Sequence, residues 1–302
     1  MVLDQCRRAA PNLAIEIKVI KTTGDKLQTA SMAQEGHALP KGLFTKELEI
    51  ALLNGEAGLA VHSLKDLPTD LPSGLVLGAV TRRADVRDVL IYRSQSGGAG
   101  RGFPPGTSLA DLPADSTIAT SSTRRKAQLR AIAPGIQTPD IRGNVATRLR
   151  KLAENPELDA TVLACAGMNR LNYSFMPDGR IEGSDVPAGL LACILDADTM
   201  LPCVGQGAIG IEIRSNDEVA RRLCEQLNNS ETARCVTAER AFLSAMGGGC
   251  QSPVAALAQT STSDLVMTAI SFAHGPARRA ILHGRMDAPA ELGQRMAAEL
   301  KK

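Results

Sequence analysis

One local pattern recurs along the chain: a short apolar run, a polar turn, then a stretch with helical spacing. "AGLAVHSLKDLP" (57–68) runs apolar and breaks into a polar loop. "DSTIATSSTRRKAQLRAIA" (115–133) passes from strand through a hydroxyl-rich turn to helix, and "DATVLACAGMNRL" (159–171) is a buried strand followed by a helical turn. Strands that hand over to helices must stack as layers, with helices on the faces of a sheet. The spacing predicts further strands at 13–22 ("LAIEIKVIKT"), 74–80 ("GLVLGAV") and 208–214 ("AIGIEIR"). It predicts helices over 42–56, stopping near Gly55, and over 229–246, with Asn229 or Ser230 as cap. The tail mixes two or three strands with a closing helix over 287–301 and reads as a separate small α+β unit. The expected class is therefore α/β with mainly parallel sheets. A length of 302 residues asks for two or three domains, since single cores stop growing near ~250–300 residues. The Gly-, Ser- and Pro-rich stretch 94–108 reads as a mobile loop.

Composition narrows the function. Aromatic residues make up 2% with no Trp, which argues against stacking on nucleic-acid bases. A net charge of +2 gives no global field for nucleic acid or an anionic membrane. Seven cysteines without a C-x-x-C spacing point to a reducing compartment, hence the cytoplasm. Four scattered histidines make a metal site improbable. No apolar run reaches the ~18 residues of a membrane span, and residues 1–20 lack a signal-peptide core. "GQGAIG" (205–210) matches G-x-G-x-x-G, but a strand follows it where a dinucleotide site needs a helix. A tight loop with close backbone approach is the better reading.

Chemistry gathers at the strand ends, where ligands bind in open α/β sheets. "HSLKDLP" (62–68) places Lys65 and Asp66 there, either as a solvated loop pair or with Asp66 as a general acid/base. "TSSTRRKAQL" sets Thr120, Ser121, Ser122 and Thr123 at a helix start, an anion site by its hydroxyls and free N–H groups. Arg124 and Arg125 follow in the first turn, the unfavourable end for cations unless an anion sits there. "IRGNVATRLRKL" adds Arg142, Arg148 and Arg150, and "GMNRL" adds Arg170. Three separate strand ends thus deliver arginine, which pairs with carboxylate through a two-bond fork. A small ligand bearing many carboxylates suits them better than a solvated face. "GGGCQSP" (247–253) puts Cys250 behind three glycines, a setting for a turn with a buried thiol or for a bulky group close to bare backbone.

"KGLFTKELE", "AVHSLKDLPT", "TSSTRRKAQL", "RGNVATRL", "LPCVGQGAIGIE" and "GGGCQSPVA" occur in this order, and together they resemble the porphobilinogen deaminases, also called hydroxymethylbilane synthases. The likeness runs from about residue 12 to 258; beyond that it is one of pattern only. It implies a cytoplasmic, monomeric transferase of haem (porphyrin, tetrapyrrole) biosynthesis, without metal, nucleic acid or membrane. That enzyme joins four porphobilinogen units head to tail into hydroxymethylbilane and releases ammonia at each step. It implies a dipyrromethane cofactor held through a thioether at Cys250, while the other six cysteines keep ordinary roles. Asp66 matches the catalytic carboxylate, which stabilises the azafulvene cation left when ammonia departs. Lys41, Ser63, Lys65, Thr120, Ser122, Arg124, Arg125, Arg142, Arg148 and Arg170 match positions that bind cofactor and substrate carboxylates. Gln206 falls in the interdomain loop. The implied fold has three domains: 1–83 with 205–225, 87–201, and a small α+β domain over 229–302 that carries the cysteine. The first two resemble type II periplasmic binding proteins.

Three departures accompany the resemblance. Leu39 and Pro40 stand before "KGLF" where the family usually has two glycines, which bears on lid mobility. Residues 172–200 are longer than the usual connection. The family's first strand, with its Arg-x-Ser-x-Leu-Ala pattern, has no counterpart: Met1 opens at what reads as the end of the following helix. Either the reading frame starts upstream, or this is a copy with a weakened first domain. The alternatives to the enzyme are an inactive or truncated paralogue and a non-enzymatic solute-binding or sensor module on the same fold. The last gives no reason for Cys250 behind three glycines or for Asp66.

Overall fold

The computed structural model describes residues 1–23, 45–95, 100–249, 252–273 and 275–302. Three sheets organise them. The first has the order β1 (Ala60–Ser63), β9 (Ile209–Arg214), β2 (Leu75–Val80). Helix α2 (Lys46–Leu53) closes one side through a cluster of Leu52, Ala60 and Leu75. On the other side, Ala79, Ile211 and Ile213 pack against α6 (Glu218–Leu227) and against Val2 of α1 (Val2–Ala9).

The second sheet has the order β4 (Ile118–Ala119), β5 (Ala160–Ala164), β3 (Asp88–Arg93), β8 (Leu190–Leu195). Every residue of β3 is buried, because both faces are covered. Val89 and Ile91 enter a core with Leu149 and Leu152 of α4 (Val145–Glu154), and Leu90 and Tyr92 enter another with Leu129 of α3 (Thr123–Ile132). The period of two explains why an unbroken apolar run serves two cores. Helix α5 (Cys165–Arg170) follows β5 directly.

The third sheet is an antiparallel meander of β10 (Val254–Thr260), β11 (Asp264–Ser271) and β12 (Arg278–Arg285). In β11 the buried residues alternate strictly, and one face packs on α7 (Ser230–Ala245) and α8 (Pro289–Lys301). Asn229 caps α7, accepting from the Thr232 N–H at 2.8 Å. No described helix is long and apolar enough to cross a membrane.

Three expectations change. Among the described strands only β4 and β5 pair in parallel. β9 runs against both β1 and β2, and β3 against both β5 and β8. Each of these sheets is parallel apart from one strand, the first that the chain forms after crossing between sheets. That strand inserts at the centre and separates the parallel neighbours. Residues 13–22 form no strand: among the described residues no ladder holds 14–21, and Ile17 and Val19 stand 70% and 83% exposed. Alternation alone does not make a strand without a pairing edge. The described part of the 94–108 loop is anchored. Arg101 pairs with Asp159 at 2.6 Å and Asp115 at 2.9 Å, and the ring of Phe103 meets Tyr92 edge-on at 6.4 Å. The first part of the 172–200 segment folds as a hairpin, β6 (Ser174–Phe175) and β7 (Ile181–Glu182). Its turn bonds to β8, with the Ala192 N–H donating to the Gly179 carbonyl at 2.7 Å, and so covers an otherwise open sheet edge.

Candidate active site

The end of β1 turns into a 3-10 turn, Leu64–Asp66. Leu64 and Leu67 are buried against Ala208 and Val236, which leaves the residues between them facing outward. Asp66 is exposed and Lys65 is partly so. Gly205, at φ 73°, brings the "GQGAIG" loop against this turn, where a Cβ would lie 3.2 Å from the Leu64 carbonyl carbon and the Lys65 nitrogen. The loop therefore acts as a backbone wedge, and β9 follows it, as the close-approach reading required.

Arginines from the second sheet face this turn. Arg170, at the end of α5, donates to the Ser63 hydroxyl at 3.3 Å. Burial holds the guanidinium of Arg170 below its ordinary pKa, and the charge of Asp66 pulls it back up. Burial and then the neighbouring Arg125 cation depress Arg148 on α4, again opposed by Asp66. Arg148 Nε also donates to the Gly143 carbonyl at 2.7 Å. The turn with Asp66, Arg148 and Arg170 thus form one electrostatic group across two sheets. Arg142 is exposed in the irregular segment before Asn144, which caps α4; no strand leads into that helix, so the expected strand end at Arg142 is not formed, and no described residue pairs with its guanidinium.

Arg124 and Arg125 are used differently from the solvent-facing forks that the sequence suggests. Both are buried on α3 and share Asp88, at 2.8 and 2.7 Å. Their remaining bonds run to the carbonyls of Leu201 and Val162. Gln206, 1% exposed, donates to Asp88 at 2.8 Å and to the Val86 carbonyl at 2.7 Å. Burial alone would raise the pKa of Asp88, but the two arginines and Gln206 hold its carboxyl well below the usual range. Ser122 caps α3, accepting from the Arg125 N–H at 3.5 Å, while buried Thr120 accepts from the Ser122 N–H at 3.3 Å.

Lys41 and Cys250 lie outside the described residues, as do Leu39 and Pro40. The other six cysteines are free thiols; burial raises Cys6 and Cys193, and pushes Cys165 to about 12 and Cys224 and Cys235 to about 11. Sequence reasoning missed Asp88 and Glu212. Glu212 interrupts the apolar β9 and meets His62 of β1 at 3.0 Å, both buried. The available signal was a carboxylate inside a strand otherwise buried on both faces, which requires a partner.

A family profile described as "Porphobilinogen deaminase, dipyromethane cofactor binding domain" matches residues 1–222, and its "C-terminal domain" counterpart matches 233–302. A porphobilinogen deaminase of Moorella thermoacetica is 45% identical over 88% of this chain and 76% of its own length. One of Gloeobacter violaceus is 44% identical over 99% of this chain and 85% of its own. A solved ancestral amino-acid-binding protein, AncCDT-1, covers 74% of this chain and 76% of its own at 13% identity and a TM-score of 0.34, too slight a likeness to bear on the fold. With both profiles together spanning the three sheets, the chain belongs to the porphobilinogen deaminase family, whose members hold a dipyrromethane cofactor.

Proposed function

We propose that this chain joins porphobilinogen units into the linear tetrapyrrole hydroxymethylbilane, with Asp66 as the carboxylate that works on the reacting ring. The observation that carries the assignment is the meeting of the Asp66 turn with Arg148 and Arg170, which arrive from different elements. A dipyrromethane on Cys250, when bound, supplies a pyrrole carbon to which the incoming unit is joined. The donor set fits a group bearing acetates and propionates. The Arg142 guanidinium has no described partner, and the Arg148 cation is destabilised by burial and by Arg125, so a carboxylate would relieve both.

Arg142, Arg148, Arg170, Lys41, Lys65, Ser63 and the Thr120–Ser122 turn hold the carboxylates and orient the ring. As the aminomethyl carbon–nitrogen bond breaks and ammonia leaves, positive charge spreads over the substrate ring. Asp66 balances that charge, and it accepts the proton that the coupled ring carbon must lose. Arg124 and Arg125 serve the site through Asp88, fixing α3 and Gln206 as well as offering positive potential. The expected domains, 1–83 with 205–225, 87–201 and 229–302, each hold one of the three sheets, which supports that division. On this reading the enzyme works as a cytoplasmic monomer, checked by sedimentation and by its thiol state in the cell.

Intact mass and turnover test the assignment together. The parent chain is expected to be heavier than its sequence by two linked pyrroles, and Cys250→Ser to lose that mass and its activity. Asp66→Asn is expected to keep the added mass and lose turnover by about 10²–10⁴-fold, the usual share of a general acid/base. A parent chain of bare sequence mass, or an Asp66→Asn enzyme within a few-fold of the parent, overturns the respective assignment.

A further inference from the structure

The segment that follows the Asp66 turn ends in carbonyls with no strand or helix to use them. One side chain of the third unit takes three in succession. Arg240 of α7 donates to the carbonyls of Leu67 at 3.0 Å, Pro68 at 2.6 Å and Thr69 at 3.2 Å. One helical turn earlier, Val236 of the same helix packs against Leu64 and Leu67, the two apolar residues that bracket Lys65 and Asp66. The turn is thus held at both ends by one face of α7: apolar contact at Leu64 and Leu67, hydrogen bonds at 67–69. Gly205 closes it from behind. Helix α7 ends at Ala245 and runs on into the glycines that precede Cys250.

We propose that Arg240 is a positioning residue, which fixes the Asp66 turn to the helix leading to the cofactor-bearing cysteine. The proposal rests on the functional reading above. The chemistry needs Asp66 at a set distance from a group tethered at Cys250, and the helix that holds the Asp66 turn ends at Ala245, shortly before that cysteine in the sequence. A planar guanidinium suits the task because its fork reaches adjacent carbonyls in fixed directions, whereas an ammonium is a single point donor.

The test uses the full chain as purified, with Arg240→Ala and Arg240→Lys. Hydrogen exchange over residues 64–70, measured without substrate, is expected to quicken about tenfold or more in Arg240→Ala, with the sheets unchanged. Turnover number is expected to fall about tenfold or more while KM stays within about threefold and the added mass is retained, because a misplaced carboxylate costs rate rather than binding. Arg240→Lys should fall between, and added guanidinium should restore part of the Arg240→Ala rate. Unchanged exchange at 64–70, or a turnover number per loaded enzyme equal to the parent's, overturns the proposal; a merely structural arginine would lower melting temperature and yield only. If Arg240→Ala does not fold, Arg240→Lys decides by the same two readings. A parent chain without pyrrole and without turnover overturns the functional reading and the catalytic half of this one, whereas failure of the anchoring alone leaves the parent active.

Discussion

Asp88 shows how a charged residue can be obligatory at a distance from the chemistry. It is fully buried and is held by Arg124, Arg125 and Gln206. Its folded pKa lies below the unfolded value, so its contribution to stability is complete above the ordinary carboxylate range, near 4, and is lost as pH falls below it. Asp88→Asn leaves two buried guanidiniums without a counter-charge, and is expected to cost about 3–5 kcal/mol near neutrality. Thermal unfolding followed from pH 7 down to pH 3 should show the parent losing stability on the acid side and the variant losing less, so that the two curves converge. Asp66 and Arg170 were legible in the sequence because each lies in the turn or short helix that follows a strand, and Arg142 and Arg148 because they flank Asn144, the cap of α4. The commitment of Arg124 and Arg125 to Asp88 was not, because Asp88 stands 37 residues before Arg125 and nothing local pairs them.

At the level of elements, the carboxyl end of α4 needs an explanation that its own sequence lacks. Arg93, 1% exposed at the end of β3, donates to the carbonyls of Leu152, Ala153, Asn155 and Leu158. No acidic side chain among the described residues joins it; the helix terminus itself supplies the negative potential. Arg93→Met keeps much of the volume and removes every one of these bonds. It is expected to destabilise the protein by about 2–4 kcal/mol, read from denaturant midpoints at constant slope. Most helices and strands could be read from periodicity and caps, Asn229 before α7 being the clearest case. The failed strand at 13–22 and the hairpin of 172–183 mark the limit, because whether an extended segment becomes a strand depends on an edge that lies elsewhere in the chain.

Over the whole molecule, one carboxylate ties the three sheets together. Glu239 of α7 is fully buried and accepts from Arg83 at 2.6 and 3.0 Å, the Gly205 N–H at 2.8 Å and the Ala258 N–H at 2.9 Å. Arg83 and Gly205 lie on the two crossings between the first and second sheets, and Ala258 lies in the third. Glu239→Ala is expected to split a single calorimetric transition into two, with the third unit melting apart from the others; a single transition at an unchanged temperature would show that the knot is dispensable. The α/β class and the detached tail were visible in the alternation of elements. The strand directions were not, because local pattern carries no information on which neighbour a strand will take.

The insertion of β9 between β1 and β2 also imposes an order on biosynthesis. The first sheet waits for residues 209–214, made well over a hundred residues after its outer strands. The second sheet has all its strands by Leu195. A chain emerging from the ribosome can therefore complete its middle unit while its beginning is still unpaired, and the turn that bears Asp66 takes its final place only after the rest of the cleft exists.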